Sequence, residues 1–79
     1  MKVFVLIATE PGETKAVVGK LNDVMGVERV YEVMGPYDII AEVDVSDLAE
    51  VPIILGADIR TITGVQSTTS LVVLPVLGN

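Results

Sequence analysis

One seven-residue pattern occurs twice in this chain. Leu21-Asn22-Asp23-Val24-Met25-Gly26-Val27 returns as Ile59-Arg60-Thr61-Ile62-Thr63-Gly64-Val65, thirty-eight positions later. In each copy two apolar residues three apart are followed by a glycine and by a valine that opens a new run. Glycine suits the residue just past a helix end, and a β-branched residue suits the start of a strand. Two such exits at a constant offset imply two βαβ halves, and 79 residues leave room for a single domain.

The rest of the chain can be placed around those exits. Val3 to Ala8 is apolar at odd and even positions alike, the mark of a strand covered on both faces. Thr9-Glu10-Pro11-Gly12 breaks it and leads into a helix predicted over Glu13 to Met25. Val17, Leu21 and Val24 recur there at helical spacing, Pro11 lies near the first turn, and Gly26 takes the C′ position. Val27 to Met34 reads as a second strand and Gly35-Pro36 as a turn, since proline's fixed φ suits its second position.

From Tyr37 to Val45 the residues alternate. Tyr37, Ile39, Ala41, Val43 and Val45 point one way and Asp38, Glu42 and Asp44 the other, with Ile40 the apolar exception. Asp47 and Glu50 stand at capping-box spacing. Pro52 then either kinks the second helix or, the preferred reading, marks its first position. Leu55, Ile59 and Ile62 form that helix's apolar stripe, Gly64 ends it, and Val65 to Leu74 is a β-branched run stopped by Pro75.

Right-handed crossovers put both helices on one face of a four-stranded antiparallel sheet of order 4-1-3-2. This is an α+β, ferredoxin-like βαββαβ arrangement. Two helices cover one sheet face, yet Val3 to Ala8 is apolar on both, and Ile40, Val72 and Leu74 add to the surplus. Hydrophobic residues make up 51% of the chain, and neither cysteine nor histidine occurs. Disulfides and the common zinc ligands are therefore not available to stabilise so small a domain, and oligomerisation is left. The open face is expected to pack on a second copy in a twofold dimer.

Function classes narrow on the same residues. The net charge is −6, and the five cations Lys2, Lys15, Lys20, Arg29 and Arg60 are scattered, so no basic patch offers itself to nucleic acid. The first apolar run ends at Glu10, too short for a membrane span and without a small-residue cleavage site, which implies a cytoplasmic chain. Nucleophile–base pairs and a glycine-rich phosphate loop are missing from the sequence, and no metal or cofactor is implied. Asp38, Glu42 and Asp44 share a strand face within reach of a hard cation or of acid–base work, although a solvated polar face is the ordinary outcome.

Three stretches together resemble the C-terminal effector-binding (RAM) domain of the Lrp/AsnC transcription regulators. They are Phe4 to Gly12, the hairpin Val33-Met34-Gly35-Pro36-Tyr37-Asp38, and Gly64-Val65-Gln66-Ser67-Thr68-Thr69-Ser70-Leu71. The resemblance covers nearly all of residues 1–79 as one ligand-binding and oligomerisation domain, with a short apolar tail at 75–79. What it implies is dimers built through the sheets, larger rings of dimers, and a small effector, an amino acid or related metabolite, held where dimers meet. Because Met1 stands directly before the first strand, the chain looks like a form of the domain without the family's DNA-binding part, able to join full-length regulators in mixed oligomers. Such a role is not enzymatic.

Carried over position by position, Gly35, Tyr37 and Asp38 match the loop that lines the family's effector site. Ser67, Thr68 and Thr69 match the polar start of its last strand. An α-amino acid is a zwitterion: Asp38 can hold its ammonium, while main-chain N–H groups of the turn and threonine hydroxyls hold its carboxylate. Each residue also has a structural reading, Asp38 as a turn cap, Gly35 as a backbone requirement and the hydroxyls as β-formers. Two rivals stay open beside the sensing module: a dimeric α/β-barrel isomerase or oxygenase using acidic residues, and an assembly domain without a ligand.

Overall fold

The computed structural model describes residues 1–74; the 75–79 tail singled out above lies outside the described residues. The chain runs β1 (Lys2–Thr9), α1 (Thr14–Leu21), β2 (Val27–Glu32), β3 (Ile39–Asp44), α2 (Glu50–Ile53), a π-helical continuation (Ile54–Ile59) and β4 (Val65–Val72). All strand pairs are antiparallel and the sheet order is β2-β3-β1-β4. This is the expected ferredoxin-like order read from the other edge, with β1 bonded on both sides.

The core lies where strand alternation puts it. Val3, Val5 and Ile7 of β1 and Ile39, Ala41 and Val43 of β3 are buried against Val17, Leu21 and Ile59 from the two helices. The even residues Phe4, Leu6 and Ala8 are only half-buried. One face of β1 is therefore sealed and the other is not, in place of the coverage on both faces expected from its composition.

The two copies of the repeat leave their helices through the same pair of turn bonds. The Val24 N–H donates to the Leu21 carbonyl (3.1 Å) and Val27 to Val24 (3.2 Å). In the second copy Ile62 donates to Ile59 (3.0 Å) and Val65 to Ile62 (3.1 Å). Gly26 and Gly64 then cross into the left-handed region at φ +93° and +101°. These three-residue bonds reverse the chain early, so α1 stops at Leu21 rather than Met25, Val24 belongs to the exit turn, and Gly26 closes that turn rather than a helix.

Other boundaries move as well. Thr14 opens α1, with Pro11 and Gly12 in a turn ahead of it. β2 ends at Glu32, β3 begins at Ile39, and β4 ends at Val72. Val72 pairs with Val3 and packs against the core, so it is Leu71, 52% exposed, that joins the open face.

Pro52 does not open the second helix. The helix starts two residues earlier, at Glu50, and Pro52 is tolerated because N–H groups of a first turn have no partner within the helix. Only the Glu50 half of the expected box forms: one Glu50 carboxylate oxygen accepts from the N–H of Ser46 (2.7 Å), the N–H of Asp47 (2.9 Å) and the Ser46 hydroxyl (3.0 Å), while the Asp47 carboxylate accepts from the Ala49 N–H (3.2 Å) instead of that of Glu50. Further on, Arg60 donates to the carbonyl five residues back, Leu55 (2.8 Å), where its counterpart Asn22 reaches only four back, to Val18 (3.2 Å). The extra residue in that turn brings Ile59 into the core in register with Leu21.

Gly64 also sits where the β4 entrance touches α1. A Cβ there would stand 2.9 Å from the Glu13 Cβ and 3.0 Å from a Val17 methyl. Gly64→Ala should therefore cost at least about 2 kcal/mol, adding overlap to the left-handed penalty. Gly56→Ala, helical and facing open space, should instead gain about 0.5–1 kcal/mol. Urea titrations of the two variants check this, and like signs would refute it.

The N–H of Asp47 above all, then the Ser46 hydroxyl and N–H, hold the Glu50 carboxyl below its ordinary value of 4.5. A lowered folded-state pKa contributes stability above the unfolded value, and that contribution is lost as pH falls through the folded one. The stability gap between the wild type and Glu50→Gln should therefore be constant at neutral pH and shrink below pH 4.5. Urea midpoints measured across that range give the comparison.

Candidate functional site

The loop between β2 and β3 leans over the open face of the sheet. It is closed by two main-chain bonds, Val33 N–H to the Asp38 carbonyl and Asp38 N–H to the Ile7 carbonyl, both 2.9 Å. Between loop and sheet lies an open, mostly apolar recess of about 320 Å³ whose walls include Leu6, Ile40, Met34, Pro36 and Tyr37. Tyr37 precedes β3 rather than belonging to it, so the alternation that assigned it to the core side does not apply. Its hydroxyl instead reaches the Thr69 hydroxyl at 3.0 Å, and Thr69 pairs with Leu6 on the open face.

Asp38 is tied to the end of β1. One of its carboxylate oxygens, Oδ2, accepts from the N–H of Thr9 (2.8 Å) and from the Thr9 hydroxyl (3.3 Å). That hydroxyl also meets the Thr14 hydroxyl at 2.7 Å, in the first turn of α1. Thr9 is the one buried polar residue among those described, so Asp38 fastens hairpin, β1 and α1 to a single point.

The three polar residues of β4 divide between two faces. Ser67 pairs with Ala8 and Thr69 with Leu6, on the open side, whereas Thr68 pairs with Ile7 on the helix side. There the Thr68 hydroxyl accepts from the Arg60 Nε–H at 3.0 Å. Of the six residues taken from the sequence, Tyr37 and Thr69 are thus joined directly, and Gly35 lines the same recess. Asp38 does not line it and is bonded to Thr9 instead, Ser67 lies on the edge strand β4 opposite Ala8, and Thr68 faces away.

Thr9, Thr14 and Arg60 were not singled out by sequence reasoning. A signal existed for Thr9, because a hydroxyl continuing the buried series Val3, Val5, Ile7 needs a partner. Arg60 is the one basic residue after Arg29.

Across the open face the acidic residues are engaged separately. The Glu42 side chain is only 12% exposed and lies 3.5 Å from the Lys2 ammonium, which also sits 6.0 Å from the Phe4 ring centre. The Tyr31 hydroxyl donates to Glu42 at 3.3 Å. The Tyr31 hydroxyl oxygen first, and then the Glu42 carboxylate, favour the charged form of Arg29. Asp44 pairs with the N-terminal ammonium at 3.3 Å. The three carboxylates therefore do not converge, and among the described residues no group of three acidic side chains could hold a metal ion. Around them Phe4, Leu6, Ile40 and Leu71 form an apolar surface on which, among the described residues, no helix lies. Among the described residues no helix is long and apolar enough to cross a membrane.

Comparison with known proteins agrees with this fold. The family profile of the Lrp/AsnC ligand binding domain matches residues 2–77. The HTH-type transcriptional regulator LysM of Sulfurisphaera tokodaii is 35% identical over 77 residues, which cover 96% of this chain and 54% of that protein. The chain thus spans about half the length of that regulator. Among solved structures, TTHA0845 from Thermus thermophilus superposes with a TM-score of 0.90 at 28% identity, covering 99% of this chain and 98% of that one. AsnC of E. coli does so with a TM-score of 0.89 at 26% identity, over 96% of this chain and 52% of that one.

The Asp38–Thr9 bonds can be tested directly. Asp38→Ala leaves the buried Thr9 N–H without its acceptor and should cost about 1–3 kcal/mol, while Asp38→Asn keeps an oxygen there and should cost distinctly less. Equal losses in urea titration would show that the bond carries no stability.

Proposed function

This chain belongs to the Lrp/AsnC ligand-binding-domain family, and we propose that it is a cytoplasmic, non-enzymatic sensing module in which residues 1–79 bind a small amino-acid effector and regulate assembly. The observation that carries the reading is the uncovered apolar face together with the hairpin recess at its end. Copies meet through that face as a homodimer and build larger oligomers, alone or with full-length regulators of the family. An exposed surface of this kind is an interaction site in a monomeric protein, and twofold self-pairing is its simplest use.

The effector contacts are Gly35, Tyr37, Asp38, Ser67, Thr68 and Thr69. Both bonds from Thr9 fall on Oδ2 of Asp38, which leaves Oδ1 as the oxygen to accept from an ammonium. The Tyr37 and Thr69 hydroxyls, already in contact, turn toward the ligand, and the exposed main chain at Gly35 donates to a carboxylate. Thr68, on the helix side, takes part at the β4 edge. Binding that favours one assembled state over another shifts the population by the difference in affinity between the two.

Thermal-shift screening against the common amino acids at millimolar concentration tests this, since a ligand held only by the folded chain raises Tm. A selective rise is expected, abolished in Tyr37→Phe with Thr69→Val, which leave the core untouched. Sedimentation should show at least a dimer at micromolar concentration and monomer for Leu6→Glu. A monomeric wild type that responds to no amino acid would overturn the reading.

A further inference from the structure

The two edges of the sheet are built differently. β2 carries Glu28, Arg29 and Glu32 among its six residues, and its pairing with β3 is interrupted by a bulge between Val27 and Arg29. Charges and bulges of this kind keep a free edge from pairing with another strand. β4 is not guarded in this way. Its eight residues, Val65–Val72, include no charge, proline or glycine, and the shift in its pairing with β1 falls at the Ala8/Thr9 step, beside its first residue. No acidic residue follows Asp58, in a chain of net charge −6.

The ladder fixes which main-chain groups of β4 are free. Val73 donates its N–H to the Lys2 carbonyl at 2.9 Å, continuing the register in which Val3 faces Val72. Odd residues of β4 therefore bond to β1, and the N–H and carbonyl groups of Gln66, Thr68, Ser70 and Val72 point outward. Among the described residues no group outside the ladder bonds to them. An open recess of about 320 Å³, lined by Arg60, Val65, Gln66, Ser67 and Thr68, lies beside the first half of this edge.

We propose that the outer edge of β4 is a docking surface for the same edge of a second copy, antiparallel about a twofold axis. Outward-pointing groups bond only to outward-pointing groups, so even residues pair with even ones and the axis passes through a residue. Centring it on Thr69 uses all four outward residues: Gln66 faces Val72 of the other copy, Thr68 faces Ser70, and the two Thr69 side chains meet. No carboxylate faces another across this joint, whereas self-pairing through β2 would bring glutamates together. Arg60 marks the register. Its Nε is held on the Thr68 hydroxyl at 3.0 Å and no ion pair among the described residues involves it, so Ser70 of the second copy lies next to an unpaired guanidinium. A single strand pair is marginal in water, so the contact forms at high concentration or between copies already held by the open face. Pairing through the open face leaves this edge free, and the edge contact does not rest on the effector reading.

Amide exchange of the full chain, labelled at micromolar and at millimolar concentration and read by NMR, tests this. Thr68, Ser70 and Val72 should gain at least about tenfold protection at the higher concentration. Val30 and Glu32, outward on β2 because Val33 bonds to Asp38, should gain none. Ser70→Glu should strengthen the concentration dependence and Ser70→Lys weaken it, since each sets its charge beside the other copy's Arg60; a purely structural effect would carry the same sign in both. Ser70→Pro, which loses an N–H that β1 does not use, should abolish it. The proposal falls if the three amides exchange alike at both concentrations, or if Val30 and Glu32 are protected with them. Effects of one sign for Ser70→Glu and Ser70→Lys would overturn the register. The amino-acid response in the thermal-shift screen is read separately, so either reading can fail without the other.

Discussion

The central position of β1 governs this molecule. Paired with β3 on one side and β4 on the other, it has no free edge, and every residue of Val3 to Ala8 must be disposed of through a face. Two short helices supply cover for one face only, where Val3, Val5 and Ile7 are sealed. The even residues then meet whatever lies on the opposite side, and within the described residues nothing does. A domain of this size buries roughly 60% of its unfolded surface, so the half-buried remainder is a large share of what it has to gain. The hairpin recess lies at the margin of that half-buried surface.

Holding the hairpin at that margin falls to polar groups. Thr9 is buried by strand alternation, and its N–H and hydroxyl are both answered by one oxygen of Asp38. The cost of leaving either unpaired in the interior exceeds the modest net worth of the bonds themselves, so the arrangement fixes position more than it adds stability. The same carboxylate is thus a structural anchor and, through its second oxygen, a candidate ligand group. These uses do not compete, because an anchored carboxylate is presented in one orientation.

Strands, their order and the core were legible because period-two alternation survives even in a very apolar chain. The repeat was legible too, down to its glycines, since the same turn needs the same residue types at both helix exits. Helix ends were not. Val24 continues the helical spacing of Val17 and Leu21, yet the chain there is already reversing through three-residue bonds. The π-helical turn was hidden for a related reason: Leu55 and Ile59, four apart, fit an α-helix, and only the donor at Arg60 shows the longer reach. Tyr37 was misplaced by extending β3 two residues before its first ladder pair at Ile39. Asp38 was recognised as important, but its partner lies 29 residues away, and no local pattern names it.

Ser67, Thr68 and Thr69 show most clearly what sequence resemblance leaves undetermined. As a motif they read as one polar patch, yet a strand sends alternate residues to opposite faces, and the register settles which. Thr69 joins Tyr37 above Leu6, while Thr68 turns under the sheet to Arg60. A motif of three hydroxyls therefore serves two environments, one mostly apolar and roofed by the hairpin loop, the other cationic and open at a strand edge.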